Sequence, residues 1–458
     1  MKPPPVLACW LTLLAIGVLS LVSWSRPAAA QGRGAGEQIV LIRDAETETL
    51  LHGFADPLFR VAGLDPRLVR MMLVRDRALN AFVTSGNRMF VHTGLIQQAN
   101  SPLEVIGPIA HETGHVAHGD ISRLPEMAFN AMIQSLGSLL IGAAAGVASR
   151  EPGVGMGAAM GGASMAERRF MSFSRSQEEA ADQAALRYLD RLGWSAAGML
   201  AVFTKLEQEE ALIVNRRDPY LITHPMTRDR YNFVRRHVQA RPDMTPAGTA
   251  LFDAPFGMVK AKLSGFLDAP AIVARTYPAA DTSAPSRYAR AVLEHRMGRR
   301  DAAVVLLDGL IAEQPSSPWL HELKGQVLLE GGKAAAAVAA YQMAVRYAPE
   351  QPLIRQSLGH ALIETGDPGN FRQAVSHLQM AQRQARDDDR TWHLLGIAWG
   401  RLGNLGEANL ALAEEAMLLG DLANARRFAR MAAEALPEGP SKLRALDISN
   451  AVKKENRQ

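Results

Sequence analysis

Apolar and polar positions follow several different rhythms along this chain, and each rhythm predicts a different element. Val6 to Val22 is a nearly uncharged apolar run, preceded by Lys2 and followed by Ala28-Ala29-Ala30. A positive start, an apolar stretch and an A-x-A site form the pattern of an export signal, with cleavage expected after Ala30. The competing reading is an uncleaved anchor, because the run is nearly long enough to span a bilayer. Between Asp44 and Val74 helical periodicity mixes with short apolar pieces, which predicts a pair of helices and a strand near Met71 to Val74. Asn80 to Val83 and Met89 to His92 flank Thr84-Ser85-Gly86-Asn87 and predict a β-hairpin. Leu103 to Asp120 turns helical, with Gly119-Asp120 as its stop, and a further helix is expected from Gln177 to Leu192, closed by Gly193. Met127 to Ser149 carries no charge, and 137–162 is dominated by Gly, Ala, Ser and Met. A membrane span is conceivable there on length; the dominance of Gly and Ala favours a buried helix running into a Gly-rich lid.

The second half, from about residue 285, is repetitive. Ala291, Gly325, Gly359 and Gly396 are spaced 34, 34 and 37 apart, and Ala303, Ala337, Ala374 and Ala408 follow at 34, 37 and 34. One insertion, in the loop from Gly366 to Asn370, accounts for both irregular spacings. Pro315 and Pro349 close two repeats, with Tyr341 and Ala344 in the second helix of one. This stretch resembles the tetratricopeptide family, in which small residues at fixed positions let paired helices approach and stacking buries a continuous seam. The hairpin from Asn409 to Leu419 and Leu422 to Leu436 is expected to close the array.

Composition narrows the function classes. The chain has 458 residues, 48% hydrophobic and 21% charged, with a formal net charge of +4, so two or three ordinary globular domains are expected. Lys and Arg are interspersed with nearly as many Asp and Glu, which argues against a nucleic-acid footprint. Cys9 is the only cysteine and lies inside the leader, so a chain cut after Ala30 has neither disulfides nor thiolate metal sites. A transition metal then has to be held by His, Asp and Glu.

Such a set is present. In His111-Glu112-Thr113-Gly114-His115 the two histidines lie four apart, so on a helix both imidazoles reach one zinc ion, and Glu112 sits beside its open position. A catalytic zinc wants a third protein ligand, and Ser174-Arg175-Ser176-Gln177-Glu178-Glu179-Ala180-Ala181-Asp182 supplies it. Glu178 and Asp182 share one helical face, the first as ligand and the second as acceptor for the other nitrogen of a ligand histidine. Glu179 points about 100° away and is expected in solvent.

Thr223-His224-Pro225, followed by Arg230, adds a third element. The chain from about Ile39 to Gln239 now resembles the M48 family of zinc metallopeptidases, in its His-Glu-x-x-His motif, its Ser-Arg-x-x-Glu-x-x-Ala-Asp helix and its His-Pro-x-x-x-x-Arg segment. Asn80-Ala81-Phe82 and Gly94-Leu95 look like that family's hairpin and its entry to the active-site helix. The resemblance implies a zinc-dependent endopeptidase with one Zn2+ per chain and Glu112 as general base. It implies a regulatory role for His224 as an inhibitory fourth ligand. Arg230 has two readings, oxyanion stabiliser or structural clamp, and His224 shares the first.

The expected fold is α+β and mostly helical, a zincin-like domain with a small sheet followed by an all-α tetratricopeptide solenoid. The expected boundaries are a signal peptide over 1–30, the peptidase over 31–245, a linker with a helical segment over 246–284, repeats over 285–440 and a tail over 441–458. A leader, this peptidase type and repeats together imply a periplasmic protein acting on polypeptides. The resemblance, taken with the leader and the repeats, implies outer-membrane proteins as clients and the barrel assembly machinery as a contact; no nucleic-acid partner is expected, and peripheral membrane association is left open. Two alternatives compete: a chaperone-like repeat scaffold whose zinc only holds the fold, and a membrane-embedded relative using 127–149.

Overall fold

A computed structural model describes residues 40–119, 175–212, 224, 227–244 and 246–455. The leader, the Met127 to Ser149 run and the Gly-rich 137–162 segment lie outside them. Among the described residues, no helix is long and apolar enough to cross a membrane.

The first helix, α1, spans Ala45–Val61. Asp44 starts it by accepting from the Thr47 amide at 2.8 Å, and Glu46 and Glu48 place negative charge at the positive end of the helix dipole. It is one helix, not the pair expected between Asp44 and Val74. Leu50, Leu51, Phe54, Ala55, Leu58 and Phe59 keep one face buried past Pro57, and packing of that face outweighs the hydrogen bond Pro57 cannot donate. A short 3₁₀ turn over Pro66–Leu68 follows.

The sheet has strands β1 (Leu41–Ile42), β2 (Arg70–Val74), β3 (Ala81–Thr84) and β4 (Arg88–His92) in the order β1-β2-β4-β3. β3 and β4 form the expected hairpin, in register from Ala81 against Val91 to Thr84 against Arg88. Gly86 and Asn87 turn it with positive φ of 79° and 55°, the left-handed region that Gly and Asn tolerate. β2 runs parallel to β4 and β1 antiparallel to β2, so among the described residues β3 is an edge. Met71, Leu73, Ala81, Met89 and Val91 form one core with the apolar faces of α1 and α3, where α3 is Leu103–His118, entered through the short α2 (Thr93–Gln98).

Helix α4 covers 175–192 and ends at Gly193, whose φ is +67°. α5 (Ala197–Leu212) and α6 (Arg228–Gln239) complete the peptidase part. The stretch expected as a linker is largely helical, with α7 (Asp253–Leu267) packed against the first repeat helix and α8 (Pro270–Thr276) beside it.

The repeats pair α9 (Ala284–Arg296) with α10 (Arg300–Glu313), α11 (Pro318–Glu330) with α12 (Ala334–Tyr347), α13 (Pro352–Glu364) with α14 (Pro368–Gln384), and α15 (Asp389–Arg401) with α16 (Leu405–Leu418). The periodic small residues fall at the pair crossings. A Cβ on Gly325 would lie 2.9 Å from the Tyr341 ring, and one on Gly359 2.5 Å from Leu378 Cγ. The expected closing hairpin is α16 with α17 (Leu422–Ala435), but α16 also completes the repeat begun by α15. The last pair is α17 with α18 (Pro440–Glu455), which forms a helix where a tail was expected because Ala445 and Ile448 bury against α17.

Candidate metal centre

α3 is buried along Val105, Ile106, Ile109 and Ala110 and stops at Gly119, φ 68°. That burial sets its rotation, and the rotation turns His111 and His115 inward on one face. α4 can reach that face because residue 114 is glycine. A Cβ there would stand 3.0 Å from both the Cα and the carbonyl oxygen of Ala181. Ala181 lies between Glu178 and Asp182, so the close crossing brings both carboxylates against the two imidazoles.

His111 Nε2 and His115 Nε2 are 3.1 Å apart. His111 Nε2 lies 3.3 Å from Glu178 Oε2, and His115 Nε2 lies 3.4 Å from Glu178 Oε1. His224 joins them: its Nδ1 is 3.4 Å from His111 Nε2 and 3.0 Å from Glu178 Oε1. All four residues are buried. Donors held about 2.0 Å from a central ion in a tetrahedron are separated by roughly 3.3 Å, and the five separations here run close to that edge length. Three imidazole nitrogens and a carboxylate facing one point without apolar filling form a donor set that fits a divalent cation of the zinc type.

Two carboxylates compete for a place around that point. The ligand atoms of His111, Glu112, His115 and His224 all lie within 4.8 Å of one another. Glu178, however, touches all three imidazoles, whereas Glu112 Oε1 lies 3.3 Å from His224 Nε2. Glu178 is therefore the better placed to bind an ion. Glu112 is buried, and among the described residues neither carboxylate oxygen accepts a hydrogen bond, the polar group facing it being His224 Nε2 at 3.3 Å.

Behind the donors lies a second tier. His111 Nδ1 is 2.8 Å from Asp182 Oδ1, which leaves Nε2 to face the centre. Arg230 donates from Nε to Asp182 Oδ2 at 2.7 Å and from an Nη to Asp182 Oδ1 at 2.9 Å, and its other Nη lies 2.9 Å from Glu178 Oε2. Thr227 caps α6 by accepting from the Arg230 amide at 3.2 Å, and the Phe203 ring lies 5.4 Å under the guanidinium. Burial by itself would raise the Glu178 and Asp182 carboxyls. Hydrogen bonds from His111, His115 and His224 hold Glu178 well below the ordinary carboxylate range, and those from Arg230 and His111 hold Asp182 below its ordinary value. The same pairing holds His111 above its ordinary value against burial.

The structure thus gathers His111, Glu112, His115, Glu178, Asp182, His224 and Arg230 from α3, α4, the segment at 224 and α6, and leaves Glu179 exposed. The contact of Arg230 with Glu178 had no sequence signal, because two segments separated by fifty residues determine it.

A mostly helical α+β peptidase domain with a HExxH helix, followed by a helical repeat solenoid, defines a metallopeptidase with an accessory repeat module. Residues 44–238 match the profile of peptidase family M48. The similar proteins include the "Beta-barrel assembly-enhancing protease" of Yersinia pestis, 26% identical over 364 residues, which cover 77% of this chain and 72% of that one. A "Putative beta-barrel assembly-enhancing protease" of Vibrio cholerae is 28% identical over 357 residues, covering 76% and 71%. Among solved structures, MamA MSR-1 C2 aligns at TM-score 0.32 and 18% identity over 37% of this chain and 97% of that chain.

Proposed function

We propose that this chain is a zinc-dependent endopeptidase in which His111, His115 and Glu178 hold one Zn2+. The observation that carries the proposal is the set of five donor separations, 3.0 to 3.4 Å, around a single buried point. Bound zinc would acidify a water molecule and polarise the scissile carbonyl. Glu112, with no hydrogen bond committed elsewhere, takes the proton from that water and passes it to the leaving amine. Asp182 fixes the tautomer of His111, and Arg230 holds Asp182 and Glu178 in place as a positioning residue. Its Nε and both Nη nitrogens face these two carboxylates, which supports the clamp over the oxyanion reading.

His224 stands where a fourth donor would, and its other nitrogen faces Glu112. That placement supports an autoinhibited resting state, since one side chain occupies the water's corner and covers the base. Activation then requires the segment at 224 to withdraw.

The edge strand β3 packs beside α3. An extended polypeptide can add to such an edge as a further strand, so unfolded or stalled chains are the expected substrates. The similarity to β-barrel assembly-enhancing proteases and the exported-type leader support misfolded outer-membrane proteins as clients, the periplasm as location and the repeats as the holder of clients or assembly machinery. The full-length protein should purify with one zinc per chain and lose it in Glu178→Ala. Glu112→Gln should keep the zinc and stop degradation of a misfolded outer-membrane client; degradation that continues at the wild-type rate would refute the protease reading.

A further inference from the structure

The first turn of α1 serves two cores. Ala45 is buried among Ala344, Val345, Ile354 and Trp319 of the repeats, Gln351 donates to Thr49 Oγ1 at 2.9 Å, and Arg43 stands 3.6 Å from Asp388. Beside this contact lies a buried charged cluster. Lys262 of α7 is only 2% exposed, and its Nζ lies 2.5 Å from Asp44 Oδ2, 3.4 Å from Glu46 Oε2 and 3.4 Å from Glu322 Oε2 of α11. Tyr288 of α9, fully buried, donates to Glu46 Oε2 at 2.8 Å.

The charges do not balance. Three carboxylates face one ammonium, and a buried anion without its own partner takes up a proton. Burial and the neighbouring Asp44 push the Glu46 carboxyl up to about 7 against the pull of Lys262 and Tyr288. Glu322 is raised by burial, whereas Lys262 holds Asp44 below its ordinary value in spite of burial. Among the described residues, the titratable groups facing Glu46 are Asp44 from its own helix start, Lys262 from α7, Tyr288 from α9 and Glu322 from α11. Around Ala45, α12 and α13 add the apolar Ala344, Val345, Leu353 and Ile354, and Gln351 at the start of α13 donates to the Ala45 carbonyl oxygen at 3.4 Å.

We infer that Asp44, Glu46, Lys262, Tyr288 and Glu322 form a proton-dependent clasp between α1 and the repeat array, closed while the carboxyls retain a proton and loosened when that proton leaves. The sign follows from linkage. A carboxyl whose folded value is raised contributes stability in full below its unfolded value, and that stability is lost as pH rises through the folded value. The clasp therefore weakens progressively as pH rises from the ordinary glutamate value of 4.5 and has lost its proton-dependent hold once pH passes about 7. α1 also packs on α3, so loosening at this end reaches the helix that carries His111. The inference stands on the junction alone and does not depend on the peptidase reading.

Amide hydrogen exchange of the full-length chain tests it, read at residues 44–51 and 318–330 and corrected for the intrinsic pH dependence of exchange. Wild-type opening should grow about tenfold between roughly pH 6 and pH 8.5. Glu46→Gln keeps a neutral acceptor for Tyr288 and should reduce that growth to less than about threefold. Tyr288→Phe removes a donor to the ionised carboxylate and should move the midpoint of the change to higher pH. Wild-type opening that ignores pH overturns the inference whatever the variants do. A Glu46→Gln chain that retains the full wild-type response, or a Tyr288→Phe midpoint that stays or falls, overturns it equally.

Discussion

Arg230 grips Asp182 with two parallel hydrogen bonds, Nε to Oδ2 at 2.7 Å and Nη2 to Oδ1 at 2.9 Å, in a site where both side chains are buried. A fork of this kind fixes a plane as well as a distance. Asp182 in turn meets His111 Nδ1 at 2.8 Å, so the orientation of an imidazole in the centre is set from α6, two elements away.

Removing that grip should cost stability before it costs chemistry. Arg230→Ala leaves two buried carboxylates without their cation, a loss of about 3–5 kcal/mol for a broken buried pair, and should lower both the unfolding temperature and the zinc content. Arg230→Lys restores charge without the fork and should recover only part of each. Thermal unfolding alongside metal analysis reads the difference. An Arg230→Ala chain with normal zinc, normal unfolding temperature and a depressed kcat would identify an oxyanion contact instead.

The approach of α4 to α3 depends on residue 114 having no side chain. Gly114→Ala would put a Cβ 3.0 Å from the Ala181 backbone, and the helices would have to part by a few tenths of an ångström. The expected result is a loss of about tenfold in zinc affinity with helical content unchanged, because the displaced ligand is Glu178 and not a core residue. Gly114→Val should abolish zinc binding. Competition with a calibrated chelator measures both, and an unaltered affinity in the valine variant would show that the crossing tolerates what its geometry forbids.

How much of this was legible in the sequence depends on how local each signal is. His111 and His115 lie four apart on one helix, and Glu178 and Asp182 four apart on another, so spacing alone puts each pair on a common face. The hairpin at Gly86-Asn87 and the periodic crossings at Gly325 and Gly359 are likewise short-range patterns. What stayed hidden was set by partners far apart in the chain. The Arg230 contact with Glu178 requires α6 to fold across α4, and the Lys262 cluster draws on Asp44 and Glu46 at the start of α1, Tyr288 of α9 and Glu322 of α11. The pattern between Asp44 and Val74 predicts a pair of helices, whereas the structure has the single helix α1 and a short 3₁₀ turn there. Only the buried face of the folded helix shows that it is continuous.

His224 should act as a brake. Its Nδ1 lies 3.0 Å from Glu178 Oε1 and its Nε2 lies 3.3 Å from Glu112 Oε1, so its removal frees both the fourth corner and the base. His224→Ala is expected to raise the rate of client degradation several-fold, on the order of a tenfold upper range for one competing ligand. Zinc content should remain near one per chain, since three donors persist. A fall in rate with zinc retained would mean that His224 assists the reaction, and the autoinhibited reading would be lost.

Acid sensitivity follows from the depressed carboxyls, and its sign can be worked through for Asp182. Burial would raise this group, yet Arg230 and His111 hold it below the ordinary value of 3.8. An acid whose folded value is lowered contributes stability that is fully present above its unfolded value, and that contribution is lost as the pH falls through the folded value. The loss therefore falls below about pH 4, at up to roughly 1.4 kcal/mol per pH unit for one proton taken up on unfolding. Asp182→Asn cannot take up that proton, so its stability should start lower at pH 6 and decline less steeply in the acid range. Urea titrations of chelator-treated wild type and variant at several pH values between about 3 and 6 yield the two slopes. Equal slopes would mean that Asp182 ionises alike in the folded and unfolded chains, and the clamp of Arg230 on Asp182 would then contribute no charge stabilisation to the site.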